Sequence, residues 1–148
     1  MPKECRLEKL LSAYLSSRKN EEEREQVKVF DWIRAKAKDY PCLDLAFHVP
    51  NGGSRNIVAA TRLKRMGTKR GMPDICIPIA SRKRYDCEWN IYPTYYHGLW
   101  IEMKSKKGNL SKDQKAIREL LQIEGHLVYT CHDSESAIKI IKEYLNIV

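Results

Sequence analysis

Asp74 stands at the head of an apolar run, "MPDICIPI", and Glu102 and Lys104 stand two residues apart near the end of another, "HGLWIEMK". Both runs read as strands bounded by loop residues. A carboxylate at the start of a buried strand is costly unless it is paired or holds a metal. In the second strand, alternation puts Leu99, Ile101 and Met103 on one face and Trp100, Glu102 and Lys104 on the other. If the two strands pair, Asp74 lies opposite Glu102. Two carboxylates at strand spacing repel each other, and a divalent cation between them relieves the repulsion. Mg²⁺ favours such oxygen ligands and retains waters. A lysine beside the second acid then orients or activates a water, or neutralises charge building on a phosphate. These residue types fit hydrolysis of a phosphodiester. A lone Glu-x-Lys is a weak motif and commonly a strand-surface ion pair. Its weight here comes from agreement with Asp74, and with the glycine-rich "PNGGSR" and the basic "RLKRMGTKRG" just upstream.

Those upstream segments suit an anionic partner. Asn51, Gly52, Gly53, Ser54 and Arg55 can offer backbone N–H groups and a guanidinium to a phosphate, or form a plain glycine turn. Arg62, Lys64, Arg65, Lys69 and Arg70 form a basic cluster that would track a DNA backbone, or a solvated face. The formal charge of +8 favours nucleic acid in the same way. His48, His97, His126 and His132 show no ligand spacing and are assigned no chemistry. Trp89, Tyr92, Tyr95 and Tyr96 offer ring faces to unpaired bases or to a second subunit, and the sequence leaves both open.

A scaffold must hold these groups, and 148 residues with 43% apolar side chains suffice for one domain with an ordinary core. Residues 1–19 read as an N-terminal arm with an apolar patch, Leu7, Leu10, Leu11 and Tyr14, and "SSRKN" reads as a break after it. The body, 20–148, opens with a helix over "NEEEREQVKVFDWIRAKAKDY". Its acids lie in the first turn and Val29, Phe30, Ile33 and Ala37 form its inward stripe, before Pro41. "LDLAFHV" reads as a strand, and "NIVAATRLKRMG" as a short basic helix closed by Gly67. An aromatic, basic segment at 80–96, too long for a tight hairpin, separates the two strands of the acids. A helix from Ser111 to about Glu124, a strand "HLVYTC" and a last helix from Ser134 complete the pattern.

Five scattered cysteines without CxxC spacing point to reduced thiols rather than a disulfide framework or zinc site. No export signal and no membrane-length apolar run is legible, so the cytoplasm is the expected compartment.

The blocks "HVPNGGSR", "AATRLKRMGTKRGMPDICIP", "HGLWIEMKSKKGNLSKDQKAIRELLQIEGHLVYT" and "AIKIIKEYL" resemble the VRR-NUC domain, a virus-type branch of the PD-(D/E)xK nuclease superfamily. The resemblance spans about residues 20–145, with the blocks in the family's order. It implies an α/β, restriction-endonuclease-like α-β-β-β-α-β core with a mixed central sheet flanked by helices. It also implies Mg²⁺- or Mn²⁺-dependent endodeoxyribonuclease activity. By it, Asp74 and Glu102 are metal ligands with the Met103 carbonyl as a third, Lys104 is the catalytic lysine, and Gln114 supports the site. Relatives commonly add a glutamate from the first helix. Of those in "EEEREQ", Glu22 lies one turn before Gln26 on nearly the line of the inward stripe, whereas Glu23 is farther off and Glu25 points mostly away. The alternative is that all these acids serve only the helix dipole. The virus-type relatives look like symmetric dimers that resolve four-way junctions, which implies a homodimer with Holliday-junction resolvase activity. A nicking or flap nuclease, and a non-catalytic DNA-binding or scaffold module of a replication complex, are the alternatives.

Overall fold

The computed structural model describes residues 3–50, 57–81 and 95–148. Its first helix, α1 (Lys3–Lys36), runs without interruption through the segment where a break is expected. Nothing local stops it. Residues 3–36 contain neither glycine nor proline, and Ser, Arg, Lys and Asn each cost only tenths of a kcal/mol in a helix interior. The expected arm is therefore the N-terminal half of one helix about 50 Å long. Val29 and Ile33 of its inward stripe are buried, and Phe30, Trp32 and Ala37 pack against the core.

"LDLAFHV" is only in small part a strand. Pro41–Leu45 forms a single 3₁₀ turn, and β1 is confined to Phe47–His48. Pro41 sits in the first turn, where its fixed φ fits and its missing N–H is not needed. The turn drives Leu43 fully into the core, a burial that an extended backbone here would have to forgo.

Helix α2 (Ile57–Arg65) follows, with Gly67 in the left-handed region beyond its end. The sheet runs in the order β1, β2 (Ile75–Ile77), β3 (Leu99–Met103), β4 (Leu127–Cys131). β1–β2 and β2–β3 are antiparallel, and β3–β4 is parallel. A parallel pair needs a crossover, and α3 (Lys112–Ile123) supplies it. Ser111 caps α3 through a reciprocal box with Gln114, and Gly125 ends the connection at φ 80°. The last helix, α4 (Ser134–Leu145), is capped by Asp133. The order is thus α-β-β-β-α-β, with α2 added between β1 and β2 and α4 at the end, a mixed sheet flanked by helices.

The alternation in β3 is the one its sequence dictates. Leu99, Ile101 and Met103 are buried with Ile75 and Ile77 among Val29 and Ile33 of α1 and Ala137, Ile141, Tyr144 and Leu145 of α4. The β2–β3 connection is fastened at its base. The Ser81 N–H donates to the Tyr96 carbonyl and the Tyr96 N–H to Ser81 Oγ, both at 2.9 Å. The Tyr144 hydroxyl donates to the Ile79 carbonyl at 2.7 Å. Most of the aromatic segment beyond that neck, 82–94, lies outside the described residues. The neck stands at the end of β2 and β3 remote from Asp74, so the pairing of the two acid-bearing strands is intact. Burial pushes the thiols of Cys76 and Cys131 up to about 11, leaving them as inert packing groups. Among the described residues no helix is long and apolar enough to cross a membrane.

Candidate active site

Register sets the centre of the site. Ile75 pairs with Ile101, so one further step sets Asp74 against Glu102 and a second sets Pro73 against Met103. In a regular ladder Met103 would exchange both of its backbone hydrogen bonds with that partner. Pro73 has no N–H to give. The Met103 N–H donates instead to Asp74 Oδ2 at 2.8 Å, and the Met103 carbonyl, on the same side of the strand, gets no ladder donor from Pro73. The "PD" pair at the head of β2 thus ends the ladder and puts a carboxylate where the next rung would be.

Glu102, on the face of β3 opposite Ile101 and Met103, is only 5% exposed in its side chain, with Lys104 Nζ 2.9 Å from Oε1. Gln114 Nε2 donates to the same oxygen. The other end of that amide, Oε1, accepts from the Ser111 N–H at 2.9 Å, so the capping glutamine of α3 is also the support of Glu102. Desolvation pushes the Glu102 carboxyl up to about 7, and the neighbouring Asp74 adds to the rise against the pull of Lys104. Burial raises Asp74 as well, opposed first by the Met103 N–H and then by Lys104.

Glu22 of α1 reaches the end of β3, where its Oε1 accepts the Ser105 N–H at 2.9 Å. Ser105 is 1% exposed and fully engaged. Its Oγ accepts from Arg18 Nε at 2.9 Å, and its carbonyl accepts from His132 Nδ1 and the Gly108 N–H, both at 2.8 Å. These contacts fix the backbone just beyond Lys104. On the other flank His48 Nδ1 lies 2.9 Å from the Asp74 carbonyl and 2.7 Å from the Gln26 amide. Nδ1 donates to the Asp74 carbonyl in one tautomer and accepts from the Gln26 Nε2 in the other.

Glu22, Asp74, Glu102, Lys104 and Gln114 therefore share one cavity of about 890 Å³, with His48 and Gln26 beside them, and Met103 contributes through its backbone. The basic cluster lies apart. Arg62, Lys64 and Lys69 are exposed, and Arg70, 93% exposed in its side chain, approaches Asp113 at 3.7 Å. Asn51 and Arg55 fall outside the described residues. Residue pattern alone assigns no role to His48, Ser105 or Arg18. A polar residue at an edge strand preceding "PNGGSR" is a signal for His48 alone, since the other two act through partners remote in sequence.

Among the described residues no three His, Cys, Asp or Glu side chains cluster closely enough to hold a metal by themselves. Two buried carboxylates and a carbonyl nonetheless fit Mg²⁺ or Mn²⁺, since such hard ions keep several waters and take only one or two protein carboxylates. Burial raises both carboxyls first, with Asp74 adding to the rise at Glu102 and Glu22 to the rise at both, and a cation would favour their charged forms.

That protonation has a measurable consequence. The folded, metal-free protein holds a proton on Glu102 up to about pH 7, whereas the unfolded chain releases it near 4.5. The resulting stabilisation is complete below about pH 4.5 and is lost as pH rises through about 7. At roughly 1.4 kcal/mol per pH unit the difference is about 3 kcal/mol, with Asp74 acting in the same direction. In EDTA the melting temperature is expected to fall between pH 5 and pH 8 by roughly 6–12 °C. Glu102→Gln should flatten the profile, and an equally steep fall in that variant would assign the proton elsewhere.

The chain matches the family model of the VRR-NUC domain over residues 11–135. It is also similar to a solved structure described as a VRR_NUC domain protein, with 31% sequence identity and a TM-score of 0.64, over 84% of this chain and 88% of that one. No curated protein matches it.

Proposed function

The chain belongs to the VRR-NUC family of nuclease domains, and on that premise we propose that it is a metal-dependent endodeoxyribonuclease. The observation that carries this reading is the convergence of Asp74, Glu102, Lys104 and Gln114 on the last rung of β2 and β3. Asp74, Glu102 and the Met103 carbonyl would hold Mg²⁺ or Mn²⁺. Bound there, such an ion supplies Lewis-acid polarisation of the scissile phosphate and acidifies a water. The chain's own groups do the rest. Lys104 orients the attacking water and offsets charge developing on the phosphate oxygens, in a site dry enough for that charge to count. Gln114 holds the Glu102 rotamer, while Glu22, through Ser105, holds the strand end from which Lys104 projects. Water oxygen bonds to phosphorus as the bond to O3′ breaks, leaving a 5′-phosphate and a 3′-hydroxyl.

The finer reading is a homodimer that resolves four-way junctions. Leu10, Leu11 and Tyr14 form an exposed apolar face on the first half of α1, a surface of the kind that meets a partner. Two-fold symmetry would present two sites to opposing strands. Incubating a cruciform plasmid with the protein and Mg²⁺, Mn²⁺ or EDTA tests the whole reading. Linear product in metal alone supports paired cutting, relaxed circles alone indicate a nicking or flap nuclease, and no product in any metal leaves a binding or scaffold module. Sedimentation at tens of micromolar should give a dimer, and a monomer would remove the basis for symmetric cuts.

The basic segment supplies a separate expectation. Replacing Arg62, Lys64 and Lys69 together should weaken binding to all DNA sequences alike. It should also flatten the salt dependence by roughly 0.9 in log–log slope for each phosphate that is no longer neutralised. A slope equal to that of the wild type would place the DNA backbone elsewhere.

A further inference from the structure

The cavity that contains the acids extends well beyond them. From Glu22 it follows α1 past Gln26, Val27 and Phe30 to Arg34, a run of about 18 Å at the helical rise, and is walled on the other side by Leu43 and Asp44. Nothing in the catalytic arrangement uses this extension.

Its charge is wrong for a phosphate backbone. Asp44 lines it, and its two described cations are engaged, Lys104 with Glu102 and Arg34 with Asp31, both at 2.9 Å. Its chemistry suits a nucleobase. Val27, 57% exposed, supplies apolar surface, and the half-buried Phe30 ring, with the Arg34 guanidinium carbon 6.0 Å from its centroid, offers an aromatic edge and a cation that a base can meet. The Asp44 carboxylate and the Gln26 amide, the latter steadied by His48, can meet the donors and acceptors of a base edge. At about 890 Å³ the whole cavity is of small-ligand size.

We infer that this extension receives an unpaired base of the strand being cut, from the nucleotide flanking the scissile phosphate. The inference rests on the nuclease reading. It places the phosphates outside, toward the basic segment, and turns one base inward along α1, so that substrates already unpaired at that nucleotide are the preferred ones.

The test uses a branched DNA whose cleavage position has first been mapped with wild-type protein. 2-Aminopurine is placed at each nucleotide flanking that position, and binding is followed with Ca²⁺ in place of Mg²⁺. Emission at one of them is expected to rise about threefold or more on binding, as the base leaves its stack. Val27→Trp, a change on an exposed helix position, should fill the extension, suppress the rise and slow cleavage about tenfold. With that nucleotide made abasic the same variant should recover most of its rate, because no base then has to enter. Flat emission in wild type, normal cleavage by the variant, or a loss that persists on the abasic substrate would each overturn the inference while cleavage by wild type leaves the nuclease reading standing. Absence of any cleavage by wild type overturns both.

Discussion

Lys104→Ala and Glu102→Gln are each expected to slow DNA cleavage by about a thousandfold or more while DNA binding persists. Several kcal/mol of transition-state stabilisation depend on each group. Glu102→Gln preserves the side chain's shape and still offers an oxygen to the Gln114 amide, so a folded protein is expected, one that lacks the charge needed to hold a divalent ion. Lys104→Ala leaves Glu102 beside Asp74 without its ammonium partner, which raises the protonation of both acids further. Single-turnover cleavage of end-labelled DNA, with circular dichroism as the control for folding, checks both. Near-normal turnover in either folded variant would sink the assignment.

The second large effect is expected at Gly71. Its φ is +83°, and a Cβ there would lie 2.6 Å from both the carbonyl carbon and oxygen of Asp113 and 3.0 Å from the Gln114 nitrogen. Those are backbone atoms at the capped start of α3, which cannot yield without moving the helix. Gly71→Ala therefore combines a left-handed alanine, about 1–2 kcal/mol, with a steric clash, for a total of about 3 kcal/mol. The melting temperature should fall by roughly 6–12 °C. Activity measured well below the new midpoint should fall too, since the loop that carries Asp74 and the helix that carries Gln114 are being pushed apart. A variant that melts with the wild type would mean that the two segments are less closely seated than these distances state.

The parts of the site legible in the sequence are those governed by local periodicity. Alternation along β3 fixes the faces of Glu102 and Lys104, and the inward stripe of α1 ranks Glu22 first among neighbouring acids, though Glu23 lines the cavity as well. The register that brings Asp74 to Glu102 follows from matching the two apolar runs. The rest depends on distant partners or on small energy differences. Ser105 gains its position from Arg18, 87 residues away, and from His132. His48 joins the site only because β1 lies along β2. The continuity of α1 turns on propensity differences of tenths of a kcal/mol, too small to read as a stop or its absence. The 3₁₀ turn at Pro41–Leu45 hides within a pattern that also fits a strand, and the burial of Leu43 decides between them.

The unbroken α1 couples its two ends mechanically. Leu10, Leu11 and Tyr14 stand on the same stiff rod as Arg18 and Glu22, with Leu11 about 16 Å along it from Glu22. A tether between them would let the two ends turn independently, but a rod locks their azimuths together. Inserting one residue between Tyr14 and Arg18 would rotate the apolar face by about 100° relative to the acid, and only length changes close to whole turns would restore the phase. Whatever grips the outer end of α1 also sets the angle at which Glu22 meets the end of β3.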